Sequence, residues 1–504
     1  MFVISIIEDF SCWTSTHGIP HIGMANALWL RIFWIIVVVA CLIGFLLQLQ
    51  ILIAKYLSYG VNTETKLEFS ERPFPAVTIC HLNPWKANSL NESQYMTSLI
   101  AAYQNSNADV DFGFDAGRTG ERQQKAVKLT SLANKHLFDL MDAGGDENPA
   151  YMYDDIVISC TYDAKTCNAS EWKYTKDPNF GLCQVFNFDE SKKSSRAGPL
   201  YGLRVVMRTD QNNYLPWTEA SGVVVAIHNH TDPPFPDVLG YYAPPGTASS
   251  MGVRYVKTSR KGPPYGTCTT EEKANLAHYK GKYEVEACFR SCLQEEIISK
   301  CGCYDPTYPY LGGSSTPSCF SDPDDPSKYA QYASNLQCIS DLSNTDTSNF
   351  NLIADCQQCK QPCEVQTYSV TVSTAQWPSN EYKPAECTKS NQTGQPWVRP
   401  NEPANEQECL DWYKVNTLLV EIYYERMNYQ VLTESPAYTL VNLVSDIGGQ
   451  VGLFLGMSII SVIELFTLLI LLCWMDFMMI RMEMQLMYLK YKDMTDLLSL
   501  LLIL

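Results

Sequence analysis

The chain has 504 residues, a formal net charge of −17 and a hydrophobic content of 46%. The acidic balance excludes nucleic acid as the expected partner, because such proteins need a basic surface, and it favours a cationic partner. Two long apolar segments near the ends leave about 385 residues between them, enough for a folded region with its own core.

The N-terminal apolar segment predicts a first transmembrane helix over residues 28–56. Residues 32–54 are uncharged between Arg31 and Lys55, and this length crosses roughly 30 Å of hydrocarbon. Only acidic charges precede Arg31, and there is no small-residue cleavage site, so we interpret the segment as a retained anchor rather than a signal peptide. Residues 1–27 form a separate N-terminal segment in front of this anchor.

The region between the apolar segments, residues 57–440, is predicted to be extracellular. Sixteen of the 19 cysteines lie there, between Cys80 and Cys409, and an even number is typical of disulfides formed in an oxidising compartment. The region also carries four sequons for N-glycosylation, at Asn91, Asn168, Asn229 and Asn391. Both termini are therefore expected in the cytosol.

Within this region the residue pattern predicts a mainly β core with helical insertions. Apolar residues at spacings of three and four indicate helices over residues 94–103, 123–141 and 284–299. Runs rich in β-branched residues, bounded by Gly, Pro or Asn, indicate strands over residues 74–80, 156–161, 203–208, 222–228, 365–373 and 417–424. A loop rich in glycine and aspartate, residues 109–120, separates the first two helices.

The C-terminal apolar segment predicts a second transmembrane helix over residues 441–476, followed by a cytosolic segment over residues 477–504. Glu464 is the only charged residue from Ile447 to Met475. An acidic side chain at mid-membrane costs about 2.5–3.5 kcal/mol, so Glu464 must face water, a cation or a partner, all of which an ion pathway supplies. Ser458 and Ser461 precede it at a spacing of three, on adjoining parts of one helix face.

Glycines at every fourth position, Gly448, Gly452 and Gly456, let backbones approach closely along the same segment. One interpretation is a packing face of small residues with no transport role, but the carboxylate in the same helix favours a pore. A single helix cannot enclose water, so three or more copies must contribute this face to a ring. Asp446 is either an N-cap of this helix or an outer acidic residue of the pore.

Six motifs, in this order along the chain, resemble the degenerin/epithelial sodium channel superfamily. They are Ser15-Thr-His-Gly18, Phe74-Pro-Ala-Val-Thr-Ile-Cys80, Pro264-Tyr-Gly-Thr-Cys268, Cys301-Gly-Cys303, Trp377-Pro-Ser379 and the segment from Asp446 to Glu464. The resemblance implies an α+β membrane protein, a homotrimer in which two transmembrane helices flank a disulfide-rich extracellular region. That region would comprise palm, β-ball, knuckle, finger (residues 88–155) and thumb (residues 268–363).

The resemblance also implies a disulfide map, which spacing alone leaves open. The implied pairs are Cys80–Cys183, Cys160–Cys167, Cys268–Cys363, Cys288–Cys359, Cys292–Cys356, Cys301–Cys338, Cys303–Cys319 and Cys387–Cys409.

The same resemblance assigns roles near the membrane. Gly456, Met457 and Ser458 would form the selectivity filter, a break in the helix with oxygen ligands suited to sodium. Glu464 would form an inner acidic ring and Asp446 an outer one. The remaining implied roles are Gly452 at the amiloride site, His17 and Gly18 in a re-entrant gating loop, Ser445 where bulky groups hold the pore open, and Tyr265 in coupling to the first helix.

For the stimulus, the best resemblance is to invertebrate FMRFamide-gated sodium channels. An amidated peptide with aromatic ends and an arginine suits exposed finger aromatics beside aspartates. The candidates are Tyr103, Phe112, Phe114, Phe138, Asp109, Asp111 and Asp115. The alternative is that the aromatics belong to a core and the aspartates to a solvated loop.

Two other functions remain open. Proton-gated relatives carry a histidine pair outside the first helix, where this chain has residues 61–64 without histidine, which argues against an acid-sensing sodium channel. A two-pass receptor whose helices only anchor it is the other alternative. No enzyme, cofactor or metal site is expected, and His228-Asn-His230 alone is a weak metal site.

Overall fold

A computed structural model describes residues 9–105, 112, 114, 119–143, 148–270, 278–279, 282–312, 316–321, 323, 325–343, 350–388 and 405–501. The chain forms two compact units. The helical unit contains residues 1–62 and 435–504, and the strand-rich unit contains residues 63–434.

The helices are numbered in chain order. They are α1 (Ile19–Met24), α2 (Leu28–Leu57), α3 (Gln94–Gln104), α4 (Thr119–Leu132), α5 (Asn134–Ala143), α6 (Tyr153–Ile156), α7 (Pro236–Leu239), α8 (Val285–Cys301), α9 (Tyr329–Ser343), α10 (Leu352–Asp355), α11 (Ala385–Thr388), α12 (Glu406–Asn416), α13 (Leu440–Leu455) and α14 (Ile459–Leu501).

The strands are numbered in the same way. They are β1 (Val61–Phe69), β2 (Arg72–Pro73), β3 (Ala76–His81), β4 (Val157–Tyr162), β5 (Lys165–Thr166), β6 (Trp172–Asp177), β7 (Gly181–Phe186), β8 (Lys193–Ser194), β9 (Leu203–Arg208), β10 (Val223–His228), β11 (Gly240–Ala243), β12 (Thr247–Ser259), β13 (Glu364–Gln376), β14 (Thr417–Tyr424) and β15 (Asn428–Pro436).

Among the described residues of the helical unit, two helices are long and apolar enough to cross a membrane: α2 and the part of α14 from Ile459 to Met487. The second apolar segment is not one helix over residues 441–476, because α13 ends at Leu455 and α14 begins at Ile459. α14 also continues without interruption past residue 476, so the predicted boundary there is not a helix end. α2 and α13 pack closely, with a ring carbon of Phe454 only 2.8 Å from where a Cβ on Gly44 would lie.

The strand-rich unit is built on two main sheets. The larger follows the order β1-β15-β12-β14-β9-β4-β5, with β13 paired to β12, and the smaller follows β11-β10-β3-β7-β6. β3, β7 and β10 are buried at every position, as expected for central strands covered on both faces. Side chains from both sheets share one apolar core, including Phe74, Phe186, Val225, Met251 and Leu418.

A second core joins the helices that follow β3 to helix α9. Trp85, Tyr95, Leu129 and Phe138 pack there, and Tyr329 is buried among them. The rings of Tyr95 and Tyr329 meet edge to face at 5.1 Å between centroids, a favoured aromatic geometry. The two helical regions, distant in sequence, therefore form one packed body within this unit.

Eight disulfides join the sixteen cysteines of this unit, in the pairs that the family resemblance implies. Cys80 and Cys183 lie directly opposite each other on β3 and β7. Five bonds lie within residues 268–363, the cysteine-rich segment, where apolar burial is smaller and crosslinks add stability by constraining the unfolded chain.

Candidate functional site

The helix break at Gly456 divides the second apolar segment. Gly456 adopts left-handed backbone angles, φ 57° and ψ 23°, and its amide donates to the carbonyl of Gly452 at 3.1 Å. α14 then begins with a reciprocal pair of bonds. The amide of Ser458 donates to Ser461 Oγ at 3.1 Å, and the amide of Ser461 donates to Ser458 Oγ at 3.5 Å.

The N-terminal segment 14–18 spans this break. On one side, the His17 amide donates to the carbonyl of Leu455 at 3.1 Å, one of the carbonyls that a helix end leaves without an internal donor. On the other side, Ser15 Oγ lies 2.5 Å from Ser461 Oγ, which is only 1% exposed. The segment therefore fastens the end of α13 to the beginning of α14.

Glu464 is held by the same segment. Its Oε2 accepts from the Ser15 amide at 2.8 Å, from Ser15 Oγ at 3.1 Å and from Thr14 Oγ1 at 3.1 Å. Hydrogen bonds to an ionised acceptor are among the stronger ones in proteins, so this arrangement compensates a carboxylate in an apolar helix. The partner that the sequence analysis required for Glu464 is the chain's own N-terminal segment, 449 residues away from it at Ser15.

Two glycines are needed at this contact. Gly18 has φ 87°, and a Cβ there would lie 2.5 Å from Val38 Cγ2 on α2. A Cβ on Gly456 would lie 2.0 Å from His17 Nδ1, in addition to the strain of its positive φ. By contrast, a Cβ on Gly448 meets no described atom within 4 Å, so this glycine serves no packing contact within the described part of the chain.

Asp446 does not cap the helix, so the N-cap interpretation is wrong. Thr439 is the N-cap of α13, and its side chain accepts from the Asn442 amide. Asp446 lies about two turns further on and accepts from Tyr438 at 2.6 Å. Lys55, near the end of α2, lies 4.5 Å from the centre of the Tyr438 ring, so this tyrosine joins the ends of two helices.

Comparison with known proteins identifies the family of this chain. The family model described as amiloride-sensitive sodium channel matches residues 10–468. The chain belongs to this family. Its members are ion channels that form multimeric assemblies.

Three curated relatives come from Caenorhabditis elegans. The chain is 31% identical to Degenerin-like protein asic-2 over 477 residues, which cover 91% of this chain and 85% of that protein. It is 38% identical to Degenerin del-1 over 319 residues and 34% identical to Degenerin unc-8 over 345 residues. Those matches cover 62% and 67% of this chain, and the chain spans less than half of each of these two proteins, 44% and 42%.

The structure places the other candidates of the predicted pore on α13 and on the link that follows it. Met457 and Ser458 form the link between α13 and α14, and Ser445 and Gly452 are exposed on α13. Tyr265 belongs to the strand-rich unit, in a turn where its amide donates to the Gly262 carbonyl at 3.1 Å.

The finger candidates are only partly where the sequence analysis expects them. Phe112 is 1% exposed and Phe138 is 8% exposed, both in the second core, so the expectation that they are exposed is wrong. Tyr103 and Phe114 are half-buried at the edge of that core. The Arg122 guanidinium lies 5.0 Å and 5.7 Å from the centres of these two rings, so the chain itself already supplies a cation there.

Several further candidates concern modification or binding at the surface. Asn91 and Asn168 are exposed and Asn229 is half-buried. Asp109, Asp111, Asp115 and Asn391 lie outside the described residues. His228 and His230 bond separately, to Thr78 and Asn187, and no group of metal-binding side chains occurs within the described residues.

Proposed function

We propose that the chain forms a homotrimeric, sodium-selective channel of the plasma membrane whose constriction is Gly456, Met457 and Ser458. The observation that carries this is the interrupted helix, with left-handed Gly456 at the break and hydroxyls of Ser458 and Ser461 beside it. An interrupted helix offers backbone and hydroxyl oxygens to a cation, and such irregular backbone is tolerated at membrane depth only where it lines a cavity or is buried in protein.

Two carboxylates support cation rather than anion passage. Asp446 lies on α13 and Glu464 on α14, and in a threefold ring each would present three negative charges to the axis. Glu464 also bonds to the N-terminal segment, so the inner ring and the proposed re-entrant gate are one structure. We place the amiloride site at Gly452, where a Cβ would meet only the Met457 carbonyl at 4.0 Å among described atoms.

We assign the loop between the helices to the extracellular side, with both termini in the cytosol. The eight disulfides and the accessible Asn91 and Asn168 support this orientation. Peptide N-glycosidase treatment of surface protein is expected to lower its apparent mass. Asn91→Gln and Asn168→Gln should each remove one step of that shift, and an unchanged mass would contradict the orientation.

For gating we propose an extracellular FMRFamide-like peptide. Of the finger candidates, half-buried Tyr103 contacts Trp217 edge on, at 5.4 Å between ring centres. Trp217 lines a cavity of about 290 Å³ together with Val127, Glu219 and Tyr242. Glu219 is exposed there and Tyr242 is 61% exposed, so the cavity offers both a carboxylate for a cationic group and apolar area for an aromatic one.

The test is to express the chain alone in oocytes and apply FMRFamide and a panel of other amidated peptides. Glu219→Gln and Tyr242→Ala should each raise the half-maximal concentration of an active peptide without changing unitary conductance. Tyr174→Ala is the matched control, since Tyr174 is also exposed, at 50% against 61% for Tyr242, but does not line the cavity. Equal shifts in all three variants would contradict this binding site.

Proton gating is the second candidate, and one group favours it. Asp177, at the end of β6, is buried, and burial raises its pKa to about 6 although the amides of Asn179 and Phe180 donate to it. A step from pH 7.4 to 5 without peptide separates the two functions. A large sustained current that Asp177→Asn abolishes would replace peptide gating by acid sensing.

A further inference from the structure

One arginine is held between two tyrosine rings in the strand-rich unit. The Arg72 guanidinium carbon lies 3.9 Å from the centre of the Tyr255 ring and 3.2 Å from that of Tyr429. Its Nε is buried and has no hydrogen-bond partner within the described residues. Stacking on aromatic faces holds this cation, and a planar guanidinium suits that role better than an ammonium.

The two rings belong to strands with different destinations. Tyr255 lies on β12, which runs into the cysteine-rich segment, and it is opposite Tyr368 on β13, the strand that leaves that segment. Those two rings are 5.4 Å apart. Tyr429 lies on β15, which continues along the chain into α13 and the proposed pore.

Tyr255, on which Arg72 stacks, lies where strand β12 changes its pairing partner from β14 to β15. β12 pairs with β14 as far as Val253 and with β15 only from Val256 onwards. Tyr255 falls in this gap, just before the first pair between Val256 and Gln430. A β ladder is held by its backbone bonds and cross-strand pairs, so at Tyr255 no ladder pair joins β12 to β15, and the stacked Arg72 bridges the two strands there.

Two hydrogen bonds connect the region around Arg72 to β1 and β2, the first strands of the strand-rich unit. The Tyr429 hydroxyl donates to Glu68 on β1, the strand that follows α2. The Tyr424 hydroxyl donates to the carbonyl of Pro73 at 2.8 Å, next to Arg72. The cluster thus joins strands connected to both proposed transmembrane helices.

We propose that Arg72, clamped between Tyr255 and Tyr429, is the positioning residue that couples movement of the cysteine-rich segment to β15 and so to the pore helix. This inference rests on the proposed channel function. A cation–π contact of this kind changes an equilibrium by a factor of roughly 2 to 30. Removing the guanidinium should therefore shift gating without altering the conduction pathway.

The test uses Ser445→Cys in the full chain as a reporter of pore-helix exposure. In intact cells we would measure the rate at which a membrane-impermeant biotin methanethiosulfonate labels this variant, and record current from the same cells. Arg72→Gln should change the labelling rate by about 2- to 30-fold, while Arg72→Lys should change it less because the cation remains. Unitary conductance should be the same in every variant that conducts.

Controls separate coupling from folding. Arg204→Gln removes an arginine of the same sheet that pairs with Glu421 instead of stacking, and should leave the rate unchanged. Tyr429→Leu should reproduce the effect of Arg72→Gln, and combining the two should add no further change. Tyr429→Phe is the matched variant for Tyr429→Leu, because it keeps the aromatic ring on which Arg72 stacks.

The outcomes are distinguishable. A labelling rate for Arg72→Gln within twofold of the native arginine, or additive effects of Arg72→Gln and Tyr429→Leu, overturns the clamp. Labelling that follows the expected pattern without any current supports the clamp and contradicts the proposed channel function instead.

Discussion

Alanine at Gly456 is the sharpest perturbation of the helix break. An alanine there must adopt φ 57°, which costs about 1–2 kcal/mol for an L residue. Its Cβ would also lie 2.0 Å from His17 Nδ1, and His17 cannot retreat freely because its amide is bonded to Leu455. Overpacking of this kind costs about 1–3 kcal/mol.

The backbone strain and the overlap together destabilise the contact between residues 14–18 and the helix break by roughly 2–5 kcal/mol. The population of molecules that keep this contact should fall by a factor of about 30 to several thousand. The assay is amiloride-sensitive sodium current per channel at the oocyte surface, with surface protein measured by biotinylation. Gly456→Ala should change this current by at least tenfold.

Matched variants isolate the cause. Gly448→Ala adds the same methyl group in open space within α13, where alanine is the better helix former by about 1 kcal/mol, and should leave the current unchanged. Gly456→Ala combined with His17→Gly removes the overlap but not the backbone strain, so adding Gly456→Ala to the His17→Gly variant should change the current less than adding it to the native chain. Equal currents for Gly456→Ala and Gly448→Ala would refute the reasoning.

Three other changes test separate parts of the structure. Glu464→Gln keeps the side-chain shape but removes the charge, which weakens its hydrogen bonds to Thr14 and Ser15; unitary sodium conductance should fall, whereas Glu483→Gln on the exposed part of α14 should have little effect. Asp177 has its pKa raised from 3.8 to about 6 by burial, so the folded state binds its proton more tightly and stability falls as pH rises from about 4 to about 6; Asp177→Asn should remove that part of the pH dependence in thermal unfolding of purified protein. Replacing Cys80 and Cys183 together by serine should cost about 2–4 kcal/mol of stability and lower the midpoint of thermal unfolding, and an unchanged midpoint would contradict a structural role for this crosslink.

Local patterns in the sequence predict much of the fold. The uncharged run before Lys55 forms α2, and three of the β-branched runs form β9, β10 and β14, all close to the predicted bounds. These elements are predictable because the apolar and β-branched patterns that indicate them lie within the segments themselves. β12 is missed, since Thr247 to Ser259 contains serines, a glycine and charges, and its many cross-strand contacts with β13 and β14 override its weak local preference.

The site depends more on contacts between distant residues. No spacing rule connects Thr14 and Ser15 to Glu464, although a carboxylate in an apolar helix predicts that some partner exists. For Phe112 and Phe138 the aspartate-rich surroundings predict exposure, but Tyr329 of helix α9 stacks on Phe112 and Trp85 contacts Phe138 in the same core. Local polarity therefore reports what surrounds a residue in sequence and not what packs on it.

Unitary current from the purified chain in a planar lipid bilayer tests the central claim most directly. With sodium on one side and potassium on the other, a constriction at Gly456 to Ser458 that selects sodium predicts amiloride-blocked openings that reverse close to the sodium equilibrium potential. Openings that reverse midway between the sodium and potassium potentials, or no openings with FMRFamide and with acid on the extracellular side, would contradict it.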